Sequence, residues 1–157
     1  MEVSTVLTAP RQHLRWMDYN DIDAVIKIEN RSFGFPWTAD NLLQRLEDSN
    51  VIAKVCVYER DIAGYIIYDA RDSHVEIISL AVDKKYQRLG FATQMVSRLA
   101  ALLKNTKRER VDTLVSEMNL PAQLFFRSLG FAVEEILHTP YEEHDDDGYL
   151  FVFRPGK

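Results

Sequence analysis

The chain has 157 residues, enough for one domain with a sizeable core, and 46% of them are hydrophobic and 27% charged. This composition is typical of a folded globular protein and excludes a largely disordered one. The net charge of −5 argues against general binding to nucleic acid, and the single cysteine, Cys56, excludes an intrachain disulfide.

The sequence shows no targeting or membrane segment. No uncharged apolar run is long enough to span a bilayer, and the first residues, MEVSTVLTAPRQH, lack the cationic start and apolar middle of a signal peptide. The lone cysteine fits a reducing compartment. We therefore expect a soluble, cytoplasmic protein that forms one domain over residues 1–157, with residues 1–10 as a loose lead-in.

The first part of the chain predicts one strand and two helices. Leu14 to Met17 form a candidate short strand, and either Asp18 or Asn20 is a suitable N-cap for the helix that follows. The apolar stripe of that helix has members at helical spacing: Ile22, Val25, Ile26 and Glu29. Pro36 interrupts the pattern, and a second short helix is predicted from Thr38.

The middle of the chain predicts three strands and a longer helix. Residues 51–59 and 62–70 alternate like two strands joined tightly through Arg60-Asp61, which predicts a hairpin, and residues 74–82 form the next strand. The period then changes to a spacing of three and four, which predicts a helix from Ala92 to Leu103.

The last part predicts a strand, a short helix and a final pair of strands. Residues 110–116 are the strand, and the helix has Asn119 as its N-cap and Gly130 as its stop. Residues 131–138 and 148–154 then form antiparallel strands. The resulting order, β-αα-βββ-α-β-α-ββ, predicts an α/β fold in which helices pack on a mixed sheet.

The segment YQRLGFATQ joins the strand at residues 74–82 to the long helix and has the features of an anion-binding site. The first amides of a helix have no intrahelical acceptor and lie at its positive end. Gly90 and Ala92 allow close approach, Arg88 adds a fixed positive charge and Thr93 a hydroxyl. The segment predicts a site for a phosphate or pyrophosphate. A tight turn with a surface arginine is the alternative.

The same segment, within ISLAVDKKYQRLGFATQMVSRL, resembles the acetyl-CoA-binding core of the GNAT acetyltransferase superfamily. Two further stretches agree in order and spacing, since SEMNLPAQLFFRSLGF resembles a later strand and helix of that family and DDDGYLFVF its last hairpin. The stretch IENRSFGFPWTADNL resembles the N-terminal segment of the RimI-like branch, the ribosomal-protein alanine N-acetyltransferases. The resemblance implies the GNAT fold and an acetyl-CoA-dependent N-acetyltransferase.

By this resemblance, acetyl-CoA is a co-substrate. We expect no metal, because carboxylates at consecutive loop positions, such as those beside His144, are usually only hydrated. The residues that the resemblance implies for binding it are Leu80, Ala81 and Val82 along the pantetheine arm, Arg88, Leu89, Gly90, Phe91, Ala92 and Thr93 at the pyrophosphate, and Asn119 and Phe126 beside the pantetheine. The resemblance also places Phe35 and Trp37 at the acceptor site. Their alternative role is an aromatic plug between two helices.

The sequence departs from the RimI-like pattern at both proton-transfer positions. Phe126 stands where the family usually has a tyrosine acid, and Leu114 where RimI-like enzymes have a glutamate base. Alternation places Glu76 on one strand face with Ile78, Leu80 and Val82, where a carboxylate in partly apolar surroundings suits a general base. Glu76 is therefore the candidate base, with a surface residue as the alternative. Tyr141 or Tyr149, near the last hairpin, is the candidate acid.

The missing base favours an acceptor amine of low pKa. Deprotonating a lysine amine at pH 7 costs about 4.6 kcal/mol, whereas an N-terminal α-amine costs about 1.1 kcal/mol. We therefore expect a protein or peptide N-terminus as the acceptor, with Tyr141 also lining its site. The alternatives are a small amine, such as a polyamine, an amino sugar or an amino acid, and a catalytically silent acetyl-CoA-binding module.

Other partners follow from the same features. We expect neither nucleic acid nor membrane binding, and the resemblance allows a homodimer that no residue pattern specifies. The acidic segment from Tyr141 to Asp147 can steer a basic acceptor or simply be a solvated hairpin loop.

Overall fold

The computed structural model describes residues 12–141 and 144–156, so the predicted lead-in at residues 1–10 lies outside the described part. In chain order the elements are β1 (Gln12–Trp16), α1 (Ile22–Ser32), α2 (Ala39–Leu46), β2 (Val51–Tyr58), β3 (Asp61–Ala70), β4 (His74–Val82), α3 (Phe91–Leu102), β5 (Arg110–Ser116), α4 (Leu120–Ser128), β6 (Ala132–Leu137) and β7 (Gly148–Phe153). The predicted order of strands and helices and the mixed α/β class are confirmed. Among the described residues, the helices are too short or too polar for a bilayer span.

The strands form one seven-stranded sheet in the order β1-β2-β3-β4-β5-β7-β6. Neighbouring strands are antiparallel except for β4 and β5, which are parallel and are connected through α3. A parallel pair needs such a crossover because its second strand must begin at the same end of the sheet as the first. The start of α3 therefore lies at the edge of the sheet where β4 ends.

The hydrogen-bonded ladder between β4 and β5 is short. It runs from His74 opposite Arg110 to Ile77 opposite Thr113, although β4 continues to Val82 and β5 to Ser116. Beyond Ile77, the strands have separated and the β5-facing side of β4 has no strand partner. This split opens the middle of the sheet toward solvent.

A β-bulge lies in β4 directly at the split. Ile67 pairs with Ser79 and Tyr68 with Ile77, so Ile78 is an extra residue without a partner in β3. An extra residue reverses the side-chain alternation beyond it. The sequence prediction that Glu76 shares a face with Leu80 and Val82 is therefore wrong. Leu80 and Val82 pack with the α3 and α4 core, whereas Ile78 packs with the α1 and α2 core.

The two faces of the sheet have separate apolar cores. Met95 and Leu99 of α3 and Phe126 of α4 belong to the core on one face. Val25 of α1 and Leu42 of α2 belong to the core on the other. All five side chains are at most 5% exposed. Burying each contributes about 1.5–3 kcal/mol, so the two cores hold the split sheet between fixed layers.

Side chains that the sequence placed at three helix starts act as N-caps in the structure. Asp18 caps the short 3₁₀ turn Tyr19–Asp21 that precedes α1, and Thr38 caps α2, each with a reciprocal capping box. The Asn119 side chain accepts a hydrogen bond from the amide of Ala122 in α4. These caps fix where α1, α2 and α4 begin.

The hairpin between β2 and β3 differs from the predicted turn by one residue. Its turn residues are Glu59 and Arg60, with φ of 48° and 79°, while Asp61 already pairs with Tyr58 in the ladder. Two successive positive φ values match the right-handed twist of the flanking strands. Neither residue is the Gly or Asn that normally signals such a turn, so local composition did not mark its exact position.

Gly64 of β3 has the tightest backbone environment near the sheet centre. A Cβ at this position would lie 2.7 Å from the carbonyl oxygen of Ala81 in β4. We expect Gly64→Ala to destabilise the fold by about 1–3 kcal/mol, because the backbone must shift to relieve the contact. Urea unfolding measures the loss. Gly34→Ala is the matched control, since a Cβ there meets no atom within 4 Å; equal stability of the two variants would contradict the prediction.

Candidate active site

The split between β4 and β5 forms the floor of a cleft of about 580 Å³. Its walls come from α1 and the α1–α2 loop on one side and from the start of α4 and the β6–β7 connection on the other. Phe35 and Met118 at its rim are 56% and 73% exposed. The cleft is therefore open to solvent at this rim.

Several residues predicted for the site line this cleft. They are Leu80, Asn119 and Phe126 from the predicted cofactor set and Phe35, Trp37 and Tyr141 from the predicted acceptor set. The Asn119 oxygen is engaged in capping α4, which leaves its amide nitrogen as the group that can donate to a ligand. Phe126 is 5% exposed and packs on Phe131 and Phe151, so it contributes an apolar wall.

The predicted diphosphate segment lies at the start of α3, at the end of β4. Arg88 has a φ of 70° and Gly90 of 83°, and among residues 12–141 and 144–156 no side chain caps the first turn of the helix. A Cβ at Gly90 would meet nothing within 4 Å, so the space outside the turn is open. Phe91 is 2% exposed, with its side chain in the core, and Ala81 is likewise buried. Only the backbone groups of these two can reach a ligand.

These features fit a diphosphate. Uncapped amides at a helix start, an exposed guanidinium at Arg88 and the hydroxyl of Thr93 are donors suited to phosphate oxygens. Leu89 is 44% exposed beside them. The open backbone edge of β4 beyond Ile77 continues from this segment into the cleft.

Glu76 lies outside the lining of the cleft. It is two residues before the bulge, opposite Asp69 in β3 and Asp112 in β5. Both neighbours are buried carboxylates, and each binds an arginine of its own segment, Arg71 and Arg110. The residue that lines the cleft at the usual RimI-like base position is Leu114, which has no proton to exchange.

A buried carboxylate that the sequence did not single out for chemistry forms part of the cleft wall. Glu29 is 4% exposed and accepts hydrogen bonds from the Tyr65 hydroxyl, from Ser79 Oγ at 3.2 Å and from the Trp37 amide at 3.1 Å. Burial, then the charge and hydrogen bond of Glu29, raise the pKa of Tyr65 well above its ordinary value, so this phenol stays a donor. The available signal was a carboxylate within the apolar stripe of a helix.

Three stacked rings close the other side of the cleft. Phe35 stacks on His144 at 4.7 Å between ring centroids, and His144 stacks on Tyr141 at 4.4 Å. His144 Nδ1 also lies 3.1 Å from an Asp146 carboxylate oxygen. Sequence reasoning assigned no role to His144. Its aromatic ring within an otherwise acidic loop was the signal that could have pointed to it.

The Tyr141 hydroxyl is buried and has no hydrogen-bond partner among the described residues. A Cβ at Gly148 would lie 3.1 Å from this oxygen and 2.8 Å from Leu114 Cδ1. The hydroxyl is thus close to the side chain that replaces the usual base. Burial, with a smaller contribution from Asp146, raises the pKa of Tyr141 to about 12, so the phenol is protonated at neutral pH.

This shift predicts how stability depends on pH. Because the folded pKa of about 12 exceeds the ordinary value of 10.0, the stability contributed by the neutral phenol is complete below pH 10. It is lost as the pH rises from 10 toward 12. We expect a difference titration of phenolate absorbance between wild type and Tyr141→Phe to show one phenol titrating near 12. If the phenol that Tyr141→Phe removes titrates at 10 instead, the described burial would be contradicted.

Comparisons with known proteins agree with this geometry. The model of the acetyltransferase (GNAT) family matches residues 22–131. A Bacillus subtilis protein, provisionally assigned as a ribosomal protein bS18 alanine N-acetyltransferase, is 29% identical over 140 residues, covering 87% of this chain and 91% of that protein.

Two solved structures share the fold. The crystal structure of the Escherichia coli ribosomal-protein-S18-alanine N-acetyltransferase superposes with a TM-score of 0.81 at 20% identity, covering 92% of this chain and 94% of that one. Arabidopsis thaliana NAA60 in complex with acetyl-CoA superposes with a TM-score of 0.78 at 17% identity, covering 92% and 99%. The predicted RimI-like resemblance and the predicted N-acetyltransferase class are confirmed. The chain belongs to the GNAT family of acetyltransferases.

Proposed function

We propose that this acetyltransferase transfers the acetyl group of acetyl-CoA to the N-terminal α-amine of a protein or peptide. The observation that carries the proposal is the split between β4 and β5, which joins the diphosphate segment at α3 to a cleft open at its acceptor side. The names of the Bacillus subtilis and Escherichia coli relatives, both assigned to the alanine of a ribosomal protein, support an α-amine acceptor.

The binding of acetyl-CoA is proposed residue by residue. Arg88 and the amides up to Thr93 hold the diphosphate, and backbone groups of Leu80, Ala81 and Val82 align the pantetheine arm along the open edge of β4. Asn119 donates to that arm, and Phe126 packs beside it. When bound, acetyl-CoA supplies an activated thioester carbonyl at the split.

The chain's own groups favour direct attack by the amine. Cys56 is 1% exposed in a core and does not line the cleft, so it is not a candidate nucleophile. Holding amine and thioester together at the split supplies a large part of the rate by positioning. Tyr141, which is protonated and whose hydroxyl has no hydrogen-bond partner in the described part of the chain, is the proposed donor to the departing sulfur. The base role of Glu76 remains a prediction from the sequence.

The acceptor is tested by a thiol-release assay with short peptides that begin with a free amine, their N-acetylated forms and a set of small amines. We expect turnover on free N-termini and none on the blocked peptides. Turnover restricted to polyamines, amino sugars or amino acids would overturn the proposal in favour of a small-amine enzyme. Binding of acetyl-CoA without turnover on any amine would instead favour a silent binding module.

The diphosphate segment makes a separate prediction. Arg88→Glu places a negative charge at the uncapped start of α3, so we expect the Kd for acetyl-CoA to rise by about tenfold or more, equal to about 1.4 kcal/mol. Isothermal titration calorimetry measures this change. Arg98→Glu, the same charge reversal at an exposed position of α3, should have little effect on this Kd. Equal losses of affinity in the two variants would indicate a long-range effect of net charge and not a contact between Arg88 and the diphosphate.

The proposed role of Tyr141 as proton donor leads to a further prediction. Tyr141→Phe removes only the hydroxyl, so we expect kcat to fall by about 10²-fold while the Kd for acetyl-CoA is unchanged. Steady-state kinetics with a free-amine peptide tests this. If Tyr149→Phe caused the loss and Tyr141→Phe did not, the role would belong to Tyr149, whose side chain packs against the α3 and α4 core.

A further inference from the structure

Glu29 connects the floor of the cleft to its rim. Its Oε1 accepts from the Tyr65 hydroxyl of β3 and from Ser79 Oγ of β4, and its Oε2 accepts from the Trp37 amide in the α1–α2 loop. The amide can only donate, and the Tyr65 phenol stays protonated, so both oxygens act as acceptors. The ionised carboxylate fits this arrangement.

No cation offsets this charge in the part of the chain that the structure describes. The ion pair that α1 makes is on its exposed side, between Arg31 and Asp83 at 3.8 Å. A buried carboxylate without a positive partner is costly, and three neutral donors offset only part of that cost. A cationic group entering the cleft would supply the missing charge, and the ammonium of an acceptor is such a group.

Ser79 lies between this carboxylate and the reaction centre. It follows the bulge residue Ile78, is 8% exposed and lines the cleft beyond the last β4–β5 pair. The Tyr65 hydroxyl is 3.2 Å from Ser79 Oγ, but its proton goes to Glu29. Ser79 can therefore donate its own proton to Glu29 while its oxygen lone pairs accept from a ligand.

The other titratable groups facing Glu29 do not duplicate this function. Tyr65 packs against it from β3, and Tyr141, His144 and Asp146 lie across the cleft on the β6–β7 connection. The Asp146 carboxylate lies 3.1 Å from His144 Nδ1, and the Asp146 amide donates a hydrogen bond to the same nitrogen. Within the described lining, Glu29 is the carboxylate on the same wall as the β4 edge of the split.

We infer that Glu29 is the proton acceptor for the substrate amine, reached through the hydroxyl of Ser79. This inference rests on the proposed amine acetyltransferase function. One ammonium proton passes to Ser79 Oγ while the Ser79 hydroxyl proton passes to Glu29 Oε1, leaving a neutral amine and a protonated carboxyl group. The nitrogen then forms its bond to the thioester carbonyl carbon. The C–S bond breaks with its electron pair going to sulfur, Tyr141 donates its proton to that sulfur, and a second nitrogen proton restores the phenol. Glu29 returns its proton to water when the product leaves.

Glu29→Gln tests the proton transfer because it keeps the size of the side chain and an oxygen acceptor but cannot take a proton. We expect kcat/KM for a free-amine peptide to fall by about 10²-fold at neutral pH. The residual activity should rise tenfold per pH unit up to the amine pKa of ~7.8, because only the amine that is already neutral in solution can react. The wild type should show a flatter profile over the same range.

Two variants separate chemistry from structure. Asp23→Asn removes one negative charge from an exposed position of α1 and should leave both rate and pH profile unchanged. Tyr65→Phe removes one donor to Glu29 but keeps the carboxylate, so it should lower the unfolding temperature yet retain the flatter profile. Thermal unfolding with and without acetyl-CoA shows whether each variant is folded and binds its co-substrate.

A binding experiment decides the inference without turnover. The CoA-loaded enzyme is titrated calorimetrically with a peptide carrying a free N-terminus and with its N-acetylated form. The wild type should prefer the free amine by about tenfold, and Glu29→Gln should lose that preference. If wild type acetylates no peptide, the proposed function fails, whereas equal affinity of wild type for both peptides overturns the role of Glu29. An unchanged pH profile in Glu29→Gln, or the predicted change in Glu76→Gln instead, would overturn it too.

Discussion

The short ladder between β4 and β5 is the constraint on which the site depends. Pairing ends at Ile77 and Thr113, yet both strands continue and remain held by β3 and β7 on their outer sides. Backbone groups on the inner edge of β4 then need other partners, because buried amides and carbonyls are rarely left unpaired. An extended ligand such as a pantetheine arm can satisfy them as a missing strand would. The rest of the molecule keeps this gap from closing.

The bulge at Ile78 decides which side chains of β4 face α1. By adding one residue to β4, it places Ile78 and Ser79 toward α1 and turns Leu80 toward α3. The carboxylate of α1 and the hydroxyl of β4 meet only because of that extra residue. The proposed acceptor chemistry and the proposed alignment of the thioester thus occupy opposite faces of a single strand, which separates the two proposed binding tasks.

The sequence was sufficient for the order of the strands and helices, and it singled out the segment at the start of α3 as the candidate diphosphate site. Periodicity located β4 and α3, and capping residues such as Thr38 and Asn119 marked helix starts. These signals are local, so a single chain displays them. The bulge is different, since it depends on how β4 registers against β3, and strict alternation along the sequence therefore placed Glu76 with Leu80 incorrectly. Glu29 was assigned to a core stripe for a related reason, because two of its three donors, Tyr65 and Ser79, come from strands that are distant in sequence.

The row of rings from Phe35 through His144 to Tyr141 joins the α1–α2 loop to the β6–β7 connection, two segments that are far apart in the sequence. During synthesis, β4 and the start of α3 emerge well before β6 and β7. A chain interrupted before β6 therefore has the candidate diphosphate segment but lacks one wall of the cleft. The cleft is completed only after the β6–β7 connection has been synthesised.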